Sequence, residues 1–332
     1  HKKASQHIWK ILKKNDEIYL DKYKGWYSVS DEAYFNDDEI TTDKKTKKKF
    51  APSGNEVQWV EEESYFFKLS KWQDKLLDFY KKNPNFIGPD SRKNEVVSFV
   101  KNGLNDLSIS RTTFSWGVEV PDDKKHIMYV WLDALINYLS AIGYPDKKYK
   151  KYWPANVHIV GKDIIRFHAI YWPAFLLAAE IEPPKRIFAH GWWTNEGKKI
   201  SKSIGNVIDP NEIIKEYGLD TLRFFLLREV PFGNDGDFSK KSLQRRINND
   251  LANDLGNLVQ RVLTIINKNL NGKLNKIKKI REIDKKIYEY PSEILKKIEI
   301  HYENQEFHKI IEIIWELISR ANKYVDENAP WQ

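Results

Sequence analysis

At 332 residues the chain exceeds one ordinary core, so two or three domains are expected, and the absence of cysteine excludes disulfides, thiolate zinc knuckles and a catalytic thiol. The formal net charge of +8 and the pI of about 9.1 suit a polyanionic partner such as nucleic acid, or else a Lys-rich solvated surface. No apolar run approaches the ~18 residues that span a bilayer, and HKKASQHIWKILKKND is too polar for a secretory h-region, so a soluble, cytoplasmic protein is expected. The first residue is His1 and the single methionine is Met128, which places the expected native start upstream.

From about residue 16 to 125, aromatic-rich runs such as YKGWYSVSDEAYF and ESYFFKLSKWQDKLLDFY alternate with charged turns, the pattern of an α+β insert with a few strands and two helices. Between residues 126 and 193, HIMYVWL, NVHIVG and RIFAHGWW read as strands, and DALINYLSAIG and DIIRFHAIYWPAFLLAAEI as the helices between them. Strand, helix, strand, helix, strand is half of a doubly wound nucleotide-binding sheet. From residue 239 the pattern is helical. Leu243, Ile247, Leu251, Leu255, Leu258, Val262 and Ile265 line one face, and Ile310, Ile314, Leu317, Ala321 and Tyr324 line another, before Pro330 ends the last helix. KLNKIKKIREIDKK between them reads as a solvated linker or helix face, and no internal repeat is present.

Lys198, Lys199 and Lys202, with Ser201 and Ser203, crowd ammonium groups and hydroxyls into a Gly-flanked loop that can hold a triphosphate. The P-loop pattern G-x-x-x-x-G-K-[ST] is absent. The full string GKKISKSIGNVIDP, Gly197 to Pro210, resembles the lysine loop of the class I aminoacyl-tRNA synthetases, usually written KMSKS, with Ile200 in place of Met. VWLDALINYLSAIGY, VGKDIIRFHAIYWPAFLLA and FAHGWWTNEGKKISKS resemble the methionyl branch of that family, and the likeness runs from about residue 24 to the end.

The resemblance implies an α/β fold: the second half of a Rossmann-like nucleotide-binding domain, preceded by an α+β insert and followed by an α-helical anticodon-binding bundle. It divides the chain into the end of the first Rossmann half (1–15), a connective insert without a zinc knuckle (16–125), the second Rossmann half (126–195), the lysine loop and stem-contact region (196–238) and the bundle (239–332). It implies activation of methionine by ATP with Mg²⁺, release of pyrophosphate and transfer to tRNA(Met). Lys199 and Lys202 would neutralise the phosphates with help from Arg111. Gly161, Lys162 and Asp163 would meet the adenylate, with Ser201 and Ser203 beside the ATP. Trp131, Ala134, Tyr138, Phe167 and His168 would form the methionine pocket, and no protein-bound metal is expected. Leu135 stands where many members have Pro. The HIGH signature would lie upstream of His1, so this stretch alone is not expected to catalyse.

The residues themselves agree. A thioether is polarisable and only a weak acceptor, so its pocket calls for aromatic walls with a hydroxyl or imidazole N–H near the sulfur. Ala134 and Tyr138 are four apart on a helix expected to start near Asp133, as are Ile164 and His168. The same aromatics also suit an ordinary core, and Asp163 suits a helix N-cap. In the bundle, Asn253, Asn257 and Arg261 are spaced at four and suit either base reading or helix–helix hydrogen bonds, and Trp331 of the APW segment suits either stacking on an anticodon base or capping a core. The alternative functions are an isoleucyl- or valyl-type enzyme, whose editing domain exceeds the ~110 residues of insert, a non-catalytic tRNA-binding module, and another Rossmann-type nucleotidyltransferase.

Overall fold

A computed structural model describes the chain except residues 32, 36, 38, 201–204, 275, 277–279 and 332. Two compact units, His1–Ala189 and His190–Gln332, are described in turn.

The first unit opens with the helix Lys2–Lys14, whose Ala4, Ser5, Ile8, Trp9 and Leu12 recur every three or four residues and are buried together. A long antiparallel hairpin follows, Ile18–Ser28 against Gln58–Phe67, in register from Ile18↔Phe67 to Tyr27↔Gln58. Its base is core, with Phe67 fully buried, and its far end reaches solvent, with Trp59 half exposed. At the tip the Asp31 carboxylate accepts hydrogen bonds from Ser28 Oγ (2.7 Å), Ser53 Oγ (2.6 Å) and Asn55 Nδ2 (2.6 Å), clasping two loops. The two helices expected of the insert are Gln73–Lys82 and Asp90–Lys101.

The three runs expected to share one parallel sheet are divided. His158–Gly161 and Ile187–His190 are neighbours, but the third strand beside them is Ile87–Gly88, which comes from the insert and pairs parallel to Ile187–Phe188. The run at 126–128 instead ends the strand Asp123–Met128, antiparallel to Ser110–Arg111 and Glu119–Val120. The remainder of HIMYVWL enters the helix Val130–Ser140 three residues earlier than expected.

A second helical stretch widens into a π-turn at Phe167–Tyr171 before the α-helix Trp172–Ala178. Pro173 has no N–H for the carbonyl of Ala169 four residues back. The buried Tyr80 hydroxyl donates to that carbonyl instead, at 2.6 Å.

In the second unit RIFAHGWW breaks after His190, and Trp193–Asn195 joins another small sheet between Lys198–Lys199 and Gly236–Phe238. A Cβ on Gly191 would stand 2.2 Å from the Asn234 carbonyl oxygen, so only glycine fits that crossing. Ile213, Leu222, Phe225, Phe238 and Leu243 form the core here. The single helix expected from residue 239 is built as Lys240–Arg246, a π-helical stretch Ile247–Gly256 and Asn257–Leu270. Two long helices follow, Glu282–Glu303 and Phe307–Asn328, the first taking in part of the expected linker. Ile318, adjacent to the expected face, is the buried residue of the last helix.

Candidate active site

Val130–Ser140 presents Trp131 and Tyr138, and the π-turn presents Phe167 and His168. The Trp131 and Phe167 rings stack with centroids 3.7 Å apart and planes 8° from parallel. That spacing leaves no room for a ligand between them, so a side chain packs against the outer face or edge of the pair. His168 is 2% exposed, and burial lowers its pKa against the opposing effect of its backbone hydrogen bond. Its Nδ1 lies 2.9 Å from the Ile164 carbonyl oxygen, which can only accept, so Nδ1 carries the proton. Nε2 of the neutral ring then accepts from the Tyr138 hydroxyl at 2.8 Å. Burial holds that phenol above its ordinary pKa. Both polar protons expected to face a sulfur are thus engaged within the protein, and what remains for a thioether is aromatic surface and the phenol oxygen. Ala134, on the same helix, is exposed.

Trp131, Phe167, Lys162 and Asp163 line a cavity of about 1130 Å³ together with Glu39, Phe99 and Asp106 from earlier in the chain. Asp163 does not cap a helix. It lies inside the short 3₁₀ turn Lys162–Ile164, whose N-cap position is Gly161. Its Oδ1 reaches back to within 2.4 Å of where a Cβ on Gly161 would stand, so glycine at 161 admits the carboxylate.

Arg111 is placed differently from the expectation of a phosphate contact. It is 1% exposed, and its Nη1 donates to Ser108 Oγ (2.9 Å) and the Ser110 carbonyl (2.6 Å). Its guanidinium lies over the rings of Tyr129 (4.4 Å) and Tyr27 (5.7 Å), with Glu62 at 3.9 Å. The interactions made there are those of an interior clamp.

In the second unit Lys199 is exposed, with its ammonium 5.9 Å above the Trp192 ring. Ser201, Lys202 and Ser203 lie outside the described residues. In the bundle Asn253 and Asn257 are exposed, and helices are bridged by other asparagines, Asn322 donating to the Asp254 carbonyl and Asn328 accepting from Arg281. Arg261 pairs with Asp326 and has its guanidinium 5.5 Å from the Trp331 ring, which is 55% exposed. The structure therefore joins Arg261 to Trp331 and leaves about half of the indole exposed.

The model of the family described as tRNA synthetases class I (M) matches residues 1–263. The chain belongs to the class I tRNA synthetases, M type. It is 55% identical over 341 residues to a methionine–tRNA ligase of Rickettsia bellii, covering all of this chain and 65% of that protein. A methionine–tRNA ligase of Bacillus subtilis is 49% identical over 342 residues, covering all of this chain and 52% of that protein. Among solved structures, the methionyl-tRNA synthetase of Mycobacterium tuberculosis in complex with methionyl-adenylate matches with a TM-score of 0.95 and 48% identity, over 100% of this chain and 65% of that one. The chain thus spans about 65% of the length of its Rickettsia relatives.

Two residues of this synthetase chain escaped the sequence reading. Tyr80 is set in an ordinary amphipathic helix, and nothing local ties it to Pro173. His158 carried a signal: it is the polar residue inside the otherwise apolar run NVHIVG. Its ring is 6% exposed and lies 4.2 Å from Tyr138.

Proposed function

We propose that the protein activates methionine with ATP and transfers it to tRNA(Met), and that this chain supplies the methionine pocket, the lysine loop and the anticodon-binding bundle. In the first step a carboxylate oxygen of methionine attacks the α-phosphorus, the bond to the bridging oxygen breaks, and pyrophosphate leaves. The observation that carries the reading is the Trp131–Phe167 stack beside the Tyr138–His168 pair, a neutral aromatic corner matched to a thioether. Burial keeps the His168 ring neutral, which suits an uncharged thioether side chain. Kinship with methionine–tRNA ligases supports the same substrate.

Lys162 and Asp163 at the cavity are the proposed adenylate contacts, and Lys199, Ser201, Lys202 and Ser203 the proposed phosphate contacts. The neighbouring strands His158–Gly161 and Ile187–His190 are read as part of a Rossmann-like nucleotide domain. Among the described residues no group of three or more His, Cys, Asp or Glu is placed to hold a metal, so Mg²⁺ would arrive on the triphosphate, where it offsets phosphate charge. Asn253, Asn257, Arg261 and Trp331 are the proposed anticodon face.

The test is ATP–pyrophosphate exchange by the complete gene product with methionine, isoleucine, valine and leucine supplied separately. Methionine alone should support exchange, and Lys202→Ala should slow it by ~10²-fold or more. Exchange driven equally by isoleucine would overturn the substrate, and undiminished exchange in the variant would overturn the role of the loop.

A further inference from the structure

His158 begins the strand His158–Gly161 directly behind Tyr138, and the reading above gives it no task. Its ring packs on the Tyr138 ring at 4.2 Å and 33°, meets Trp153 edge-on at 5.8 Å, and stands 6.4 Å from the His168 ring. Its Nδ1 is buried with no hydrogen-bond partner among the described residues. An imidazole that makes no hydrogen bond with that nitrogen is a poor choice for filling a core, where an aliphatic side chain serves without desolvation cost. The flat face is what the site uses.

We propose that His158 is a positioning residue for amino-acid binding: its ring, stacked on Tyr138, holds the phenol within hydrogen-bond reach of His168 Nε2 and so fixes the back wall of the methionine pocket. Three features converge on this. Tyr138 is held on one side by the 2.8 Å bond to His168 and braced by the His158 ring. His168 is itself tied to the Ile164 carbonyl, so a displaced phenol has no other ring to follow. Both imidazoles are also kept neutral in the same apolar surroundings, since burial and the second histidine each disfavour charge on His158. The inference rests on the methionine reading, and the experiment separates the two.

In the complete gene product, His158→Ala and His158→Leu remove the flat face, whereas His158→Phe keeps it. Exchange kinetics should show the KM for methionine raised ~10-fold or more in the first two, with kcat and the KM for ATP nearly unchanged, and His158→Phe within ~3-fold of the parent. With Tyr138→Ala already present, His158→Ala should add less than ~2-fold. The ¹⁵N resonances of the His168 ring read the same claim without substrate: Nε2 should shift in the Ala and Leu variants and stay in place in the Phe variant. If the Ala variant does not fold, the comparison of Leu with Phe decides. An unchanged methionine KM, a Phe variant as damaged as the Leu variant, or equal rises in the two KM values with a lowered Tm would overturn the proposal. Absence of methionine-dependent exchange in the parent defeats the functional reading alone, and the ¹⁵N shifts then decide the positioning claim.

Discussion

Tyr80→Phe isolates one hydrogen bond with almost no change of shape. The hydroxyl is buried, its pKa is driven up by that burial, and it donates at 2.6 Å to the Ala169 carbonyl, which Pro173 cannot serve. Removing the donor leaves a buried acceptor short of a partner, which costs about 1–3 kcal/mol, or roughly a 5- to 150-fold fall in the ratio of folded to unfolded protein. Urea unfolding followed by tryptophan fluorescence should show a lower midpoint with the same m-value. Pro173→Ala supplies an N–H four residues on from Ala169, so in that background Tyr80→Phe should cost less than about 0.5 kcal/mol, a coupling that a double-mutant cycle measures directly. Equal costs in both backgrounds would show that the phenol stabilises by packing alone, and the account of the π-turn carrying Phe167 and His168 would fall with it.

Burial, helped by His168, pushes the His158 imidazole down to about 4. Between its ordinary value near 6.5 and that value the unfolded chain holds a proton that the folded chain lacks, so stability falls as pH falls through this window. The share is on the order of 3 kcal/mol, and it should vanish in His158→Phe; parallel stability curves for the two proteins from pH 7 to 4 would refute it. Trp331→Ala should cut tRNA charging by roughly 5- to 150-fold, the worth of ~1–3 kcal/mol of base stacking, and leave ATP–pyrophosphate exchange intact. Loss of both activities together would assign the indole to folding.

The helix bearing Trp131 and Tyr138 was legible because it is long enough to display its period, although it starts three residues before the expected Asp133. Trp131, Tyr138, Phe167 and His168 were singled out by resemblance to the family motifs, and the structure brings their rings together. Ile87–Gly88 was not legible, because two residues show no alternation, and their place beside Ile187–Phe188 depends on partners a hundred positions away. The π-helical stretches are equally silent: over one turn, a repeat of 4.4 and one of 3.6 put Asn253 and Asn257 on the same side. The burial of Arg111 was hidden for another reason. A guanidinium reads as surface or ligand-binding until Tyr27, Tyr129 and Glu62 are seen to enclose it, and those neighbours are remote in the chain.

The tip of the long hairpin is closed by the Asp31 carboxylate. Partial burial alone would raise the Asp31 pKa, yet the bonds from Ser53, Ser28 and Asn55 together bring it below its ordinary value, so the clasp is charged at every pH above the carboxylate range. Acid is what releases a joint of this kind, as pH falls through the depressed value and the carboxylate gains its proton. The integrity of the hairpin tip thus follows protonation, and what opens it is a proton taken up by one side chain that holds three donors at once.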